Sequence, residues 1–323
     1  MPSVLPLLGV TLLGSAILAG PRGPSPRDAE RLAMAAQASG RPAECRTGPT
    51  TASRRRRLTV WDRVRQPHLQ RYCDLLGRAQ TKLDGSPAAA REAALLADQV
   101  LPGKAAPWVL VGRAHVRLRD FPQALRDFEK ARGLDPRSIE DPSSLHDLAL
   151  AQRQSGKLSD AMTTYRVLVP RLGLLPTTDD RVAVLLEAAA LAMNRGSDGL
   201  DEATALLSEA RAQPLSKHDP IVLGMLALAL DRAGMGQESD AVLEAIHRGN
   251  LARQLVSQDP ASLPFASDWD AIVALASERD DRPRAIASWQ RYLEVKPPPV
   301  FAAHAKARLE ALRRTTPIRY PRR

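Results

Sequence analysis

The sequence predicts an all-α chain in which helical hairpins recur along its length, and three observations carry that expectation. First, Trp108, Val111, Gly112 and His115 share one helical face at i, i+3, i+4 and i+7. After a break at Asp120–Pro122 the pattern returns with Ala124, Phe128 and Ala131, and Pro136 closes the unit. Second, the arrangement recurs downstream, most sharply where Trp269, Ala285, Trp289 and Pro297 take matching places. Third, aromatic residues are only 4% of the chain while Ala and Leu dominate. Helices that meet through small side chains suit that mix, and a β-sandwich does not.

Gly112, Ala124 and Ala131 allow two antiparallel helices to approach closely, with Trp108 and Phe128 filling the space around them. These residues resemble the tetratricopeptide repeat, whose motif sets Trp, Leu, Gly, Tyr, Ala, Phe, Ala and Pro at fixed places. Val111 stands for the Leu and His115 for the Tyr; the other positions match. The resemblance implies an α-solenoid of about six stacked helix-turn-helix repeats of ~34 residues with a C-terminal capping helix. It further implies a right-handed superhelix whose concave groove, lined by the first helix of each pair, binds a peptide or protein segment.

In chain order, the N-terminus comes first. Val4–Leu18 is apolar, and its ~15 residues fall short of the ~20 needed to span a bilayer. Residues 1–20 therefore read as a secretory signal, giving an exported protein of the periplasm, envelope or medium. The alternative is an uncleaved N-terminal anchor; no stable transmembrane span is expected in the mature chain. Residues 21–59 read as a disordered linker rich in Pro, Gly and Arg, with one short helix at Asp28–Ala38.

The formal charge of +10 is not spread evenly. Residues 21–72 carry +8, the tail 313–323 adds five arginines, and residues 73–312 sum to −3. Arginines far outnumber lysines, a bias read as a GC-rich bacterial genome. Cys45 and Cys73 form an even pair, a candidate disulfide in an oxidising compartment. The other reading makes Cys73 a small core residue and Cys45 a free thiol.

The repeat domain is expected over residues 60–312. Its first unit uses Leu76, Gly77 and Gln80, then Ala90, Ala94 and Ala97. The second is the Trp108 unit. The third has Leu145, Leu148 and Ala149, then Ala161 and Tyr165, after an insertion around Ser138–Pro142. The fourth has Leu185, Ala188 and Ala189, a lengthened Gly196–Gly199 turn, then Ala203 and Leu207. The fifth is degenerate, with Met225, Leu228 and Ala229, and ends in an irregular excursion at Gly249–Pro264. The sixth is the Trp269 unit. A closing helix over Phe301–Leu312 should bury Ala302, Ala305, Leu309 and Leu312, with His304, Lys306, Arg308, Glu310 and Arg313 as its outward polar side.

From the resemblance, the groove should be lined by Asp74, Arg78 and Lys82, then Arg113 and Arg117, then His146, Asp147, Leu150 and Arg153. Glu187, Ala190 and Asn194 follow, then Leu226, Ala227 and Leu230, and last Asp270 and Glu278. Its charge runs from basic through mixed and apolar to acidic. The paired oxygens of a carboxylate match the planar fork of Arg. As a groove residue, Arg113 should be replaceable by Ala with stability nearly unchanged.

Catalytic motifs are missing. The six histidines are scattered, none sits in HExxH spacing, and His115 occupies a packing position. No nucleophile elbow, phosphate loop or dinucleotide fingerprint is present. Acid pairs such as Asp179-Asp180 and Asp280-Asp281 fall where helices begin, as capping residues do. The expectation is a non-catalytic interaction scaffold with no cofactor and no metal, whose partner is a protein or peptide. The alternative function is binding of a polyanion (nucleic acid, anionic lipid or envelope polymer) through the basic flanks Arg54–Arg57 and Arg313–Arg323, nucleic acid being the least expected because no aromatics interleave with Arg54–Arg57.

Overall fold

The computed structural model describes residues 42, 45, 60–214, 216–249, 254–255 and 266–314. Among these, thirteen α-helices follow one another without a strand. They form six hairpins: α1 (Val60–Lys82) with α2 (Pro87–Val100), α3 (Ala105–Arg117) with α4 (Phe121–Leu134), and α5 (Pro142–Gln154) with α6 (Leu158–Leu168). Then come α7 (Thr178–Met193) with α8 (Leu200–Ala212), α9 (Pro220–Arg232) with α10 (Gly236–Arg248), and α11 (Ala266–Ser277) with α12 (Arg282–Glu294). A last helix, α13 (Pro299–Arg314), packs on α12. Each hairpin packs within itself and on its sequence neighbours, so the fold is an α-solenoid of tetratricopeptide-like units.

The helix starts follow from the sequence. Asp120, Asp141, Asp219 and Asp281 each precede a helix with Pro in its first turn, and each side chain accepts a backbone N–H of that turn. Thr177 and Asp180 form a reciprocal capping box at α7. Of the acid pairs at 179–180 and 280–281, Asp180 and Asp281 thus cap helix starts, while Asp280 pairs with His247. The lengthened turn at Gly196–Gly199 is a short 3-10 helix.

Most of the repeat residues in the second and sixth hairpins lie inside, with Trp108 and the two closing prolines as exceptions. Phe128 is 1% exposed, and Ala124 and Ala131 are fully buried. A Cβ on Gly112 would lie 3.2 Å from the Phe128 ring. In the sixth hairpin Ala285, Trp289 and Tyr292 are buried, while Pro297 is half-buried and Pro136 lies exposed after α4. Trp108 is half-buried: its Nε1 donates to Asp98 Oδ1 at 3.2 Å, and the Lys130 ammonium sits 3.2 Å above its ring. Gly224 marks a second close contact, where a Cβ would meet Ile272 Cγ2 at 2.6 Å.

One apolar cluster runs unbroken from Leu145 on α5 to Leu309 on α13. The first two hairpins keep smaller clusters of their own, around Tyr72 and around Phe128. Cys45 belongs to the Tyr72 cluster and is disulfide-bonded to Cys73 on α1.

The closing helix departs from its sequence reading. Phe301, Ala305 and Leu309 are its buried residues, and Ala302 and Leu312 are half-buried. His304 and Arg308, expected on the outward side, instead turn inward to carboxylates of α9 and of the segment after α11. The acids that draw these two side chains in, Asp231 and Glu278, lie outside α13, so spacing within the helix does not record them.

The signal, the linker and its helix at 28–38 lie outside the described residues, apart from Pro42 and Cys45. So does the 250–264 excursion apart from Gln254 and Leu255, and so does the tail beyond Arg314. Among the described residues no helix is long and apolar enough to cross a membrane.

Candidate partner-binding groove

The first helices of the hairpins bring the expected groove residues together in three different ways. On α1, Asp74, Arg78 and Lys82 are all exposed. On α3 and α5 the side chains pair across to the next hairpin. Arg113 Nε donates to Asp147 Oδ2 at 2.7 Å, and Arg117 Nη1 donates to Asp147 Oδ1 at 2.5 Å. Arg117 also turns back, its Nε donating to Asp84 Oδ1 at 2.9 Å. Arg113 is only 8% exposed, so it is a buried ion-pair member as much as a groove residue.

The pattern repeats one hairpin on. His146 Nε2 lies 3.0 Å from Glu187 Oε2, Arg153 Nη2 donates to Glu187 Oε1 at 3.3 Å, and the Tyr165 hydroxyl donates to Glu187 Oε2 at 2.6 Å. Burial alone would raise the Glu187 pKa. His146, Arg153 and Tyr165 outweigh that and hold its carboxyl below the usual range. Burial likewise opposes charge on His146, yet Glu187 raises it above an ordinary histidine. The Tyr165 hydroxyl is pushed well up, by burial first and then by the Glu187 charge. Asn194 stands exposed just past the end of α7.

In the last two hairpins the groove positions are closed. Leu226, Ala227 and Leu230 are buried in the same cluster as Phe301 and Ala305 of α13. Asp270 accepts from Arg291 Nε at 2.8 Å. Glu278 accepts from Trp289 Nε1 at 2.8 Å and from Arg308 Nη1 at 2.6 Å. Burial raises the Glu278 carboxyl despite Arg308. Asp231, 5% exposed, holds both His304, at 2.6 Å, and Arg308. Burial opposes its charge, but those two partners hold it below the ordinary range. α13 also reaches the Gly196–Gly199 turn. The chain's own last helix thus engages Asp231 of α9 and Glu278 after α11.

Sequence reasoning placed Asp147 and Glu187 on the groove side but not as acceptors gathering two cations each. The signal was present: each stands two residues after the corresponding leucine, Leu145 or Leu185. Asp84, Tyr165 and Asp231 were not anticipated. Asp84 follows α1, Tyr165 sits at a packing position of a second helix, and the partners of Asp231 come from α13, 73 residues away in the case of His304.

Among the described residues no three His, Cys, Asp or Glu side chains gather as a metal ion would need. A cavity of about 140 Å³ lies between α6 and α8, lined by Met162, Tyr165, Ala188 and Leu206 with Arg166 and Glu202 at its edge. It is smaller than the roughly 300–1,000 Å³ of small-molecule sites.

No protein-family model and no curated protein matches the chain. Solved structures similar to it include YrrB, described as a TPR protein with an unusual peptide-binding site, at 15% identity and TM-score 0.42 over 67% of this chain and 99% of that one. The assembly chaperone of RpL4, Acl4, is 20% identical with TM-score 0.47 over 75% of this chain and 98% of that one. A flexible tandem repeat domain from bacterial cellulose synthase is 18% identical with TM-score 0.27, covering 76% and 98% respectively.

Proposed function

We propose that the chain is a non-catalytic interaction scaffold that takes an extended acidic segment of a protein partner along the first helices of its N-terminal hairpins. The supporting observation is the division of the groove. Arg78 and Lys82 remain exposed on α1, whereas the α9 positions are buried and the α11 positions are paired internally. Arg and Lys so placed attract carboxylates, and Arg can hold both oxygens of one. The neighbouring Arg113–Asp147 and His146–Glu187–Arg153 sets fix the helices against one another and so preorganise the open end. The chain is also read as exported, on the apolar run Val4–Leu18 and on a disulfide suited to an oxidising compartment.

Short fluorescein-labelled peptides, one acidic, one neutral and one basic, test the reading by anisotropy. The acidic peptide should bind best. Arg78→Glu with Lys82→Glu should weaken it by about tenfold or more, ~1.4 kcal/mol. The exposed control Arg132→Glu on α4 should leave binding unchanged. Equal binding of all three peptides, or indifference to the α1 variants, removes the proposal.

A further inference from the structure

The link into α13 and the surface that receives α13 are both unusual. Only residues 295–298 separate α12 from α13. Within them Lys296 adopts φ 54°, a left-handed conformation that costs a non-glycine residue. Pro297, Pro298 and Pro299 follow, and consecutive prolines favour an extended polyproline geometry over a tight turn. On either side of the link Val295 and Val300 are 54% and 53% exposed.

Past this link, α13 packs on α12 and is anchored as well on Asp231 and Arg232 of α9, far upstream in the chain. Phe301 lies against the Arg232 guanidinium, whose Cζ is 4.2 Å from the ring. His304 and Arg308 both engage Asp231, and Arg308 also engages Glu278. Arg282, at the start of α12, donates to the carbonyl of Leu312. The receiving surface therefore has an aromatic seat and two carboxylates with defined partners, and it recognises one helix: α13.

We propose that α13 is exchanged between two copies of this chain, each copy's last helix seated on the Asp231–Glu278 surface of the other. The contacts at the seat are the same in the closed monomer and the exchanged dimer. The two forms differ in the link, and short links under strain favour exchange. Straightening it releases Lys296 from its left-handed conformation. Two links crossing side by side also bring Val295 and Val300 of both copies together. The closed monomer has the advantage of effective concentration, of millimolar order for a short link, so the exchanged form accumulates as the chain is concentrated.

Reciprocal charge reversal provides the test. Asp231→Arg and Arg308→Asp are made in separate full-length chains, with Glu278 and His304 unchanged. Alone, each variant sets like charges against each other at the closed seat. Mixed, reciprocal exchange restores an opposite pair at both seats. Light scattering should show the mixture at twice the monomer mass, with its melting temperature recovered toward wild type. Both changes in one chain should restore closure in that chain. Recovery in the double variant without pairing in the mixture overturns the exchange. The wild-type chain gives a second reading: its dimer fraction should rise with concentration and fall in Lys296→Gly, because glycine holds a positive φ without strain. A wild-type chain that stays monomeric at every concentration, or a dimer indifferent to Lys296→Gly, also overturns it.

Discussion

Gly112 sits so close to Phe128 that a Cβ on it would lie 3.2 Å from the ring. Phe128 is buried and has little room to give. Gly112→Leu should therefore force α3 and α4 apart and cost about 1–3 kcal/mol or more by overpacking. In a repeat array each unit is held by its neighbours, so hydrogen exchange should rise first in the adjoining hairpins and least in the sixth. A variant that melts with the parent shows that the two helices are not in this register.

Arg113 and Asp147 set a second expectation, opposite to the one drawn from sequence. Removing a buried cation leaves its carboxylate short of a partner. Arg117 remains on Asp147, so the cost of Arg113→Ala should be moderate, about 1–3 kcal/mol. A double-mutant cycle with Asp147→Asn isolates the pair, since residues in contact couple. A cycle with zero coupling shows that the bond contributes nothing to stability.

His146 and Glu187 make stability depend on pH in both directions. The His146 pKa is raised on folding, so its contribution is complete below the unfolded value near 6.5 and fades as pH rises through the folded one. The Glu187 pKa is lowered, so its contribution is complete above about 4.3 and fades as pH falls through the folded value. The loss in melting temperature caused by His146→Gln should be largest between about pH 5 and 6 and shrink above pH 7. A difference that stays constant from pH 5 to pH 9 would mean His146 carries no charge in the folded chain.

Cys45 and Cys73 are 28 residues apart, and closing such a loop stabilises by about 3–4 kcal/mol in the chain-entropy model. Cys73→Ser should lower the midpoint of urea unfolding, and a thiol reductant should lower the parent but not the variant. Intact mass with and without alkylation reports the bond directly. Two alkylated thiols in the unreduced chain would contradict it.

The sequence by itself determined the hairpins, because their causes are local. Helical spacing, an Asp before a Pro at four helix starts, and Gly112 opposite Phe128 all act within one unit. It also placed Arg113, Arg117, His146 and Arg153 on one side of their helices, since that follows from residue number alone. Only the tertiary structure decided what those side chains meet. Arg113 reaches Asp147 across 34 residues, and Arg308 reaches Asp231 across 77. A charged residue at a groove position reads identically whether it awaits a partner or is already held by the next hairpin. Likewise His304 and Arg308, read as the outward side of α13, are drawn inward by the buried Asp231 on α9. Such choices depend on how hairpins stack, through contacts between segments distant in sequence, and helical periodicity records only contacts near in sequence.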